Sequence, residues 1–142
     1  MLKIDTESDD YRFFKTLNED VKLKPDEYNR WDILFENKDY KNVTGNESLI
    51  NAICIAIMTR YQELTNTLYS NFGCRAHELI KANQSEMVRY KIELFIENVL
   101  EQMRRIKEIN WINVTEYESG KYKVIFKVKS ISDSFVEGSV TL

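Results

Sequence analysis

The densest apolar stretch lies at 49–58, where Asn51 is the only polar residue. A run of that length fits a buried strand or a buried helix equally well. Its flanks separate the two. Thr44-Gly45-Asn46-Glu47 has the Thr-x-x-Glu form of a capping box, in which hydroxyl and carboxylate satisfy free backbone N–H groups. Ile50, Ile53, Ile57, Tyr61 and Leu64 then recur at intervals of three and four. The pattern predicts a helix over 46–64, apolar nearly all round at its start and therefore covered on several sides. A second stripe, Val88, Ile92, Phe95, Val99, Met103 and Ile106, predicts another long helix. It begins near Asn83 or Ser85, runs to Arg105 and packs its stripe on the first helix. Arg89, Glu93, Glu97, Glu101 and Arg104 fall on its polar side.

The chain around these helices follows other periods. Residues 1–27 are polar and acidic with scattered Phe13, Phe14 and Leu17, and Val21-Lys22-Leu23-Lys24 alternates up to Pro25. An extended arm over 1–29 is expected. A strand at 31–35, a turn at Asn37-Lys38-Asp39 and a strand at 40–43 make a hairpin that feeds the first helix. Gly73 marks a turn, and a short helix follows over 76–81. The last third alternates with period two. Ser119-Gly120 separates 109–118 from 121–131 as a two-residue hairpin turn. In that register Glu118 faces Lys121, Glu116 faces Lys123, Tyr117 meets Tyr122, Thr115 meets Val124 and Trp111 meets Val128. Trp111, Tyr117, Tyr122, Val124, Phe126 and Val128 then share one face, with Lys121, Lys123, Lys127 and Lys129 on the other. After a turn at 132–134, Val136, Val140 and Leu142 alternate with Glu137, Ser139 and Thr141. The expected fold is α+β: an N-terminal β-hairpin, two long helices with a short helix between, and a C-terminal three-stranded antiparallel β unit.

Composition narrows the function classes. The 142 residues suit a single domain over 30–142 behind the arm, and 43% hydrophobic content supplies a core without disulfides or metal. A net charge of −3 offers no overall attraction to nucleic acid or to an acidic membrane. No apolar run approaches the roughly 20 residues of a membrane span, and the acidic N-terminus is no signal peptide. Cys54 and Cys74 form neither metal-type spacing nor a disulfide framework, which fits a reducing cytoplasm at synthesis. No phosphate-binding glycine loop or metal-ligand cluster is present, so no cofactor is expected.

The order of elements and several short motifs resemble the baseplate wedge family of contractile phage tails, also called the sheath initiator or W-protein family. The matching pieces are Trp31-Asp32-Ile33-Leu34-Phe35, Val43-Thr44-Gly45 opening the apolar helix, and Ala56-Ile57-Met58-Thr59-Arg60 closing it. Asn71-Phe72-Gly73, His77-Glu78-Leu79-Ile80, Arg105-Ile106 at the end of the long helix, and the hairpin from Trp111 complete them. The likeness covers residues 30–142. It departs from the family where a Glu-Pro-Arg-Ile motif is replaced by Met103-Arg104-Arg105-Ile106, and where Gln62 stands at a position usually held by glycine.

The resemblance implies a structural, non-enzymatic virion component made in the host bacterial cytoplasm and built in several copies into a ring, monomeric when isolated. Its implied partners are the tail sheath protein, baseplate wedge proteins, and tube or hub proteins. Arg105 and Ile106 would contact the wedge. Phe135, Val136, Val140, Leu142, Lys127 and Lys129 would meet the sheath, the last strand accepting a strand from another chain by backbone hydrogen bonding. Deleting 135–142 is then expected to leave a folded protein. Two alternatives stand beside this. An anti-adaptor-like regulatory binder would mask a single partner. A peptidoglycan glycan hydrolase would need two carboxylates across a cleft, and the candidates are Glu63, Glu78, Glu97 and Glu101. His77, the only histidine, reads as a packed or capping residue.

Overall fold

The computed structural model of the protein describes residues 19–64, 71–80, 85–118 and 120–142. Phe13, Phe14, Leu17 and Asn83 lie outside them. The chain forms two compact units with their boundary between Asn51 and Ala52, inside a helix.

Among its described residues the first unit has six short strands in place of the expected single hairpin and the 19–29 part of the expected arm, residues 1–18 of which lie outside the described ones. The strands are β1 (Glu19–Val21), β2 (Leu23–Pro25), β3 (Trp31–Ile33), β4 (Phe35–Glu36), β5 (Asp39–Tyr40) and β6 (Asn42–Thr44). β1 pairs with β6, β2 with β3 and β4 with β5, all antiparallel. Single residues, Lys22, Leu34 and Lys41, link the three ladders. Lys22 N–H donates to Lys41 O (2.7 Å), Lys41 N–H to Leu34 O (3.0 Å), and Leu34 N–H to Lys22 O (2.9 Å). Each linker thus donates once and accepts once in a closed ring, and the three ladders radiate from it. The alternation at 21–24 is real, but both of its halves are paired strands. Asn37 and Lys38 both have positive φ (52° and 69°), as a two-residue type I′ turn demands.

β6 runs directly into α1 (Gly45–Met58). Gly45 has φ 59°, a left-handed conformation that reverses the chain from strand to helix and that glycine adopts without Cβ strain. Asn51 is 6% exposed, and its side chain binds three groups of the first unit. Its Nδ2 donates to Asp20 Oδ2 (3.0 Å) and Val21 O (2.9 Å), and its Oδ1 accepts from Leu23 N–H (3.2 Å). The single polar residue of the apolar run therefore ties β1 to β2.

α1 ends at Met58, six residues before the apolar periodicity does. Thr59 Oγ1 donates back to Ile55 O (2.8 Å), and Arg60 forms a parallel bridge with Cys74. Gly73, at φ 116°, closes this contact: a Cβ there would lie 2.5 Å from Arg60 O. The expected short helix over 76–81 is corrected. Within the described residues it is one 3-10 turn, Arg75–Glu78, so the described chain has two α-helices and not three. A turn closed by three-residue hydrogen bonds is what so short a segment supports.

α2 (Glu86–Glu101) starts at Ser85, whose Oγ accepts from Val88 N–H (3.2 Å). Its buried line is Ile92, Ile96 and Leu100, while Val88, Phe95 and Val99 are half-buried. The core face is thus rotated slightly from the predicted stripe. Met87, Tyr90 and Leu94 remain exposed.

The C-terminal sheet is β7 (Ile106–Glu118), β8 (Lys121–Ser130) and β9 (Phe135–Thr141), antiparallel in that order. β7 has 13 residues and β8 has 10, and three register shifts take up the surplus at Lys107, Asn110 and Tyr117. Glu118 does pair with Lys121, but the shift beside it then puts Glu116 opposite Tyr122, Thr115 opposite Lys123 and Val114 opposite Val124. A slip of one residue moves side chains to the other face. Trp111 accordingly lies opposite Lys127 and is 42% exposed, on the lysine side instead of the core side. Tyr122, Val124, Phe126 and Val128 form the buried face as expected from their alternation.

Candidate functional site

β9 lies at one edge of the sheet. Leu142 and Tyr122 exchange both backbone hydrogen bonds (2.8 and 3.1 Å), and pairing from Thr141 to Phe135 continues without a shift. Antiparallel alternation then turns the even-numbered residues toward β8 and the backbone groups of Phe135, Glu137 and Ser139 away from it. The Cys54 thiol donates to Ser139 O at 3.8 Å, so α1 lies against the edge at that point. Along β9, Phe135–Glu137 is the stretch left open to a further strand.

The side chains at this edge divide sharply. Val136 and Val140 are 2% and 3% exposed and belong to the core. Their backbone groups also face β8, so neither offers a partner a hydrogen bond. Phe135 is 58% exposed, and the ammonium groups of Lys127 and Lys129 stand 5.2 and 5.7 Å from its ring centroid. Lys129 is Phe135's cross-strand partner and Lys127 pairs with Glu137. Below them Asp133 binds Lys107 (2.7 Å) and Lys129 (3.7 Å). The hydrogen bond from Lys107 holds the Asp133 carboxyl below its ordinary range, and the same bond raises Lys107. A bulge residue of β7 is thereby fastened to the turn that delivers Phe135. The structure brings together Phe135, Lys127 and Lys129, which the sequence reading named for this edge, with Lys107, a bulge position that carries no periodic signal, and Asp133, a turn residue.

Arg105 and Ile106 sit at the start of β7. Arg105 is 6% exposed, and its carbonyl accepts from Ile131 N–H (3.0 Å). Ile106 is half-buried and pairs with Ser130. Both residues brace the entry to the sheet, on the strand opposite β9 but at the same end as Phe135, since the β8 partners of Ile106 and Phe135 are the adjacent Ser130 and Lys129.

A separate open cleft of about 500 Å³ lies in the second unit. Tyr61, Phe95 and Val99 form its apolar wall, and Asn71, Arg75, Asn98, Glu101 and Gln102 supply polar groups. The Arg75 guanidinium lies 5.5 Å from the Tyr61 ring centroid and 5.7 Å from that of Phe95. Its Nε reaches Glu78 Oε1 at 3.5 Å. Of the four glutamates considered for hydrolysis, only Glu101 lines this cleft. Glu63 Oε2 accepts from Arg60 N–H (2.9 Å), Glu78 pairs with Arg75, and Glu97 is half-exposed on α2. His77 Nε2 is 2.8 Å from Ile57 O. A carbonyl only accepts, so this nitrogen carries the proton and caps the end of α1.

No family model and no curated protein matches the sequence. A solved structure does match the fold. It is a Geobacter sulfurreducens protein named as a tail lysozyme, at TM-score 0.60 and 16% identity. The match covers 78% of this chain and 95% of that one. At that identity the two proteins share a fold.

Proposed function

We propose that this chain is a structural baseplate subunit of a contractile phage tail or phage-tail-like particle, and that it templates the first sheath ring. The β9 edge carries this reading. Phe135–Glu137 presents unpaired backbone groups beside an exposed Phe135 and two lysines, a suitable template for a strand from the sheath protein. The fold shared with a protein named for phage tails supports the setting. So does Gln62, whose φ of 63° is one that glycine favours, at the position where the resembled family usually has glycine. Wedge proteins hold the subunit in place, and the segment braced by Arg105 and Ile106 is their contact. On this reading the chain acts by binding, and among the described residues the cleft at Tyr61 and Arg75 is lined by a single carboxylate, Glu101.

The test is Glu137→Pro. Its backbone N–H points away from β8, so proline there spares the internal ladder and removes one donor from the edge. The variant should melt close to the parent protein and enter baseplates while sheath assembly on them fails. Normal sheathed tails carrying the variant would overturn the proposal.

A further inference from the structure

We propose that the outward seam of α2 docks an amphipathic helix of a partner protein, apolar along two turns and basic at one end. This surface is separate from the β9 edge and independent of what that edge binds. Met87, Tyr90, Leu94, Glu97 and Glu101 follow one another at alternate spacings of three and four, the period at which one helix meets another along a seam. The core line of Ile92, Ile96 and Leu100 is turned away from it. Met87, Tyr90 and Leu94 are 62%, 59% and 39% exposed. Single apolar residues scattered on a surface need no explanation, but a row at helical spacing matches the anchors of a second helix.

The acidic end of the seam says what that helix carries. Glu101 ends α2 and Glu97 lies one turn before it. The helix macrodipole favours cations at this end, yet no basic residue holds the last turn. Together with Glu93 the two repeat at i,i+4, which is repulsive as well. Arg89 reaches Glu86 at 4.0 Å, whereas among the described residues Glu93, Glu97 and Glu101 meet no cation at ion-pair distance. Lysine or arginine on a docked helix relieves both penalties. A second copy of this chain does not. Two α2 helices in parallel set Glu97 against Glu97, and antiparallel pairing about Tyr90 sets the flanks that carry Glu86 and Glu93 together. An anionic membrane surface is repelled by the same row.

The probe is a capped peptide of about 18 residues, long enough to hold a helix, with three leucines and two lysines at the seam spacing and alanine and glutamine elsewhere. It is made with the lysines at either end, so that both helix directions are offered. Added to the full chain at low salt and followed by two-dimensional amide NMR, one of the two should give saturable shifts at Tyr90, Leu94 and Glu97, with a Kd of roughly 100 μM. The same peptide with glutamates for lysines should bind about tenfold more weakly. The protein carrying both Glu97→Lys and Glu101→Lys should reverse this preference, and should melt no lower than the parent because its new cations suit the helix end. Tyr90→Ser, a substitution at an exposed position, should weaken the lysine peptide about fivefold. Absence of saturable shifts with either peptide, equal binding of lysine and glutamate peptides, or an unreversed preference in the double variant would overturn the proposal. Shifts along 87–101 that grow with protein concentration alone would assign the face to a second copy and overturn it too.

Discussion

At the residue scale, two positions show how backbone and side chain share the cost of a turn. Gln62 adopts φ 63°, and the left-handed region costs an L-residue roughly 1–2 kcal/mol. Gln62→Gly is expected to raise stability by up to about 1 kcal/mol in urea unfolding, because glycine's greater freedom in the unfolded chain offsets part of the relief. Asp26 shows the opposite economy. Its Oδ1 accepts from the backbone N–H of Arg30 and of Tyr28 (2.8 Å each), and its Oδ2 accepts from Arg30 Nε (2.8 Å). The Arg30 backbone bond is foremost in holding its pKa below 3.8, assisted by Tyr28 and the Arg30 side chain. A depressed carboxylate contributes stability above its unfolded pKa and loses it as pH falls through the folded value. Carboxyl NMR should place the Asp26 midpoint below 3.8, and the turn at 26–30 should loosen over that acid range. A midpoint at or above the ordinary value would remove these bonds from the account.

At the element scale, the strands of the first unit are too short to stand alone. Two-stranded pairs are marginal in water even when longer. The ring through Lys22, Leu34 and Lys41 joins three such pairs, and Asn51 fastens β1 and β2 from the helix. Asn51→Ala should destabilise the protein by about 1–3 kcal/mol, since it strands a half-buried Leu23 N–H as well as deleting the amide. Loss below about 0.5 kcal/mol would show that the clamp is dispensable. The sheet of the second unit is organised by surplus residues. The bulge at Tyr117 moves Trp111 to the lysine side, and the bulge at Lys107 frees that residue to meet Asp133. Helix starts and the β8 alternation were legible in the sequence, whereas the bulges were not. Charge and apolar pairing select a register only until an extra residue enters the strand.

At the scale of the whole molecule, the last strand is both core and candidate interface. Val136 and Val140 are buried, and Leu142 closes the ladder with Tyr122. Deletion of 135–142 is therefore expected to unfold the second unit, where the sequence alone suggested a folded remainder. Circular dichroism of the truncated protein should show no cooperative melt of that unit. A retained melt near that of the full chain would mean that β7 and β8 suffice. For this reason the edge is tested by proline and not by removal. The burial of Arg105 has a similar consequence: substituting it disturbs the base of the sheet before it reports on any partner.

The sequence by itself determined the apolar run of α1, a start of α2 near Asn83 or Ser85, a turn around Asn37-Lys38-Asp39, and the alternation that buries Tyr122, Val124, Phe126 and Val128. These depend on neighbours within a few positions, where periodicity and turn chemistry act directly. Only tertiary structure decided where α1 stops, that 76–81 holds no α-helix in its described part, how six strands join at a three-residue ring, and which residues line the cleft. In three of these the deciding group is distant in sequence: Cys74 for Arg60, Lys41 for Lys22, Phe95 for Arg75. Such contacts arise when chain segments meet in space, and a local pattern carries no record of them.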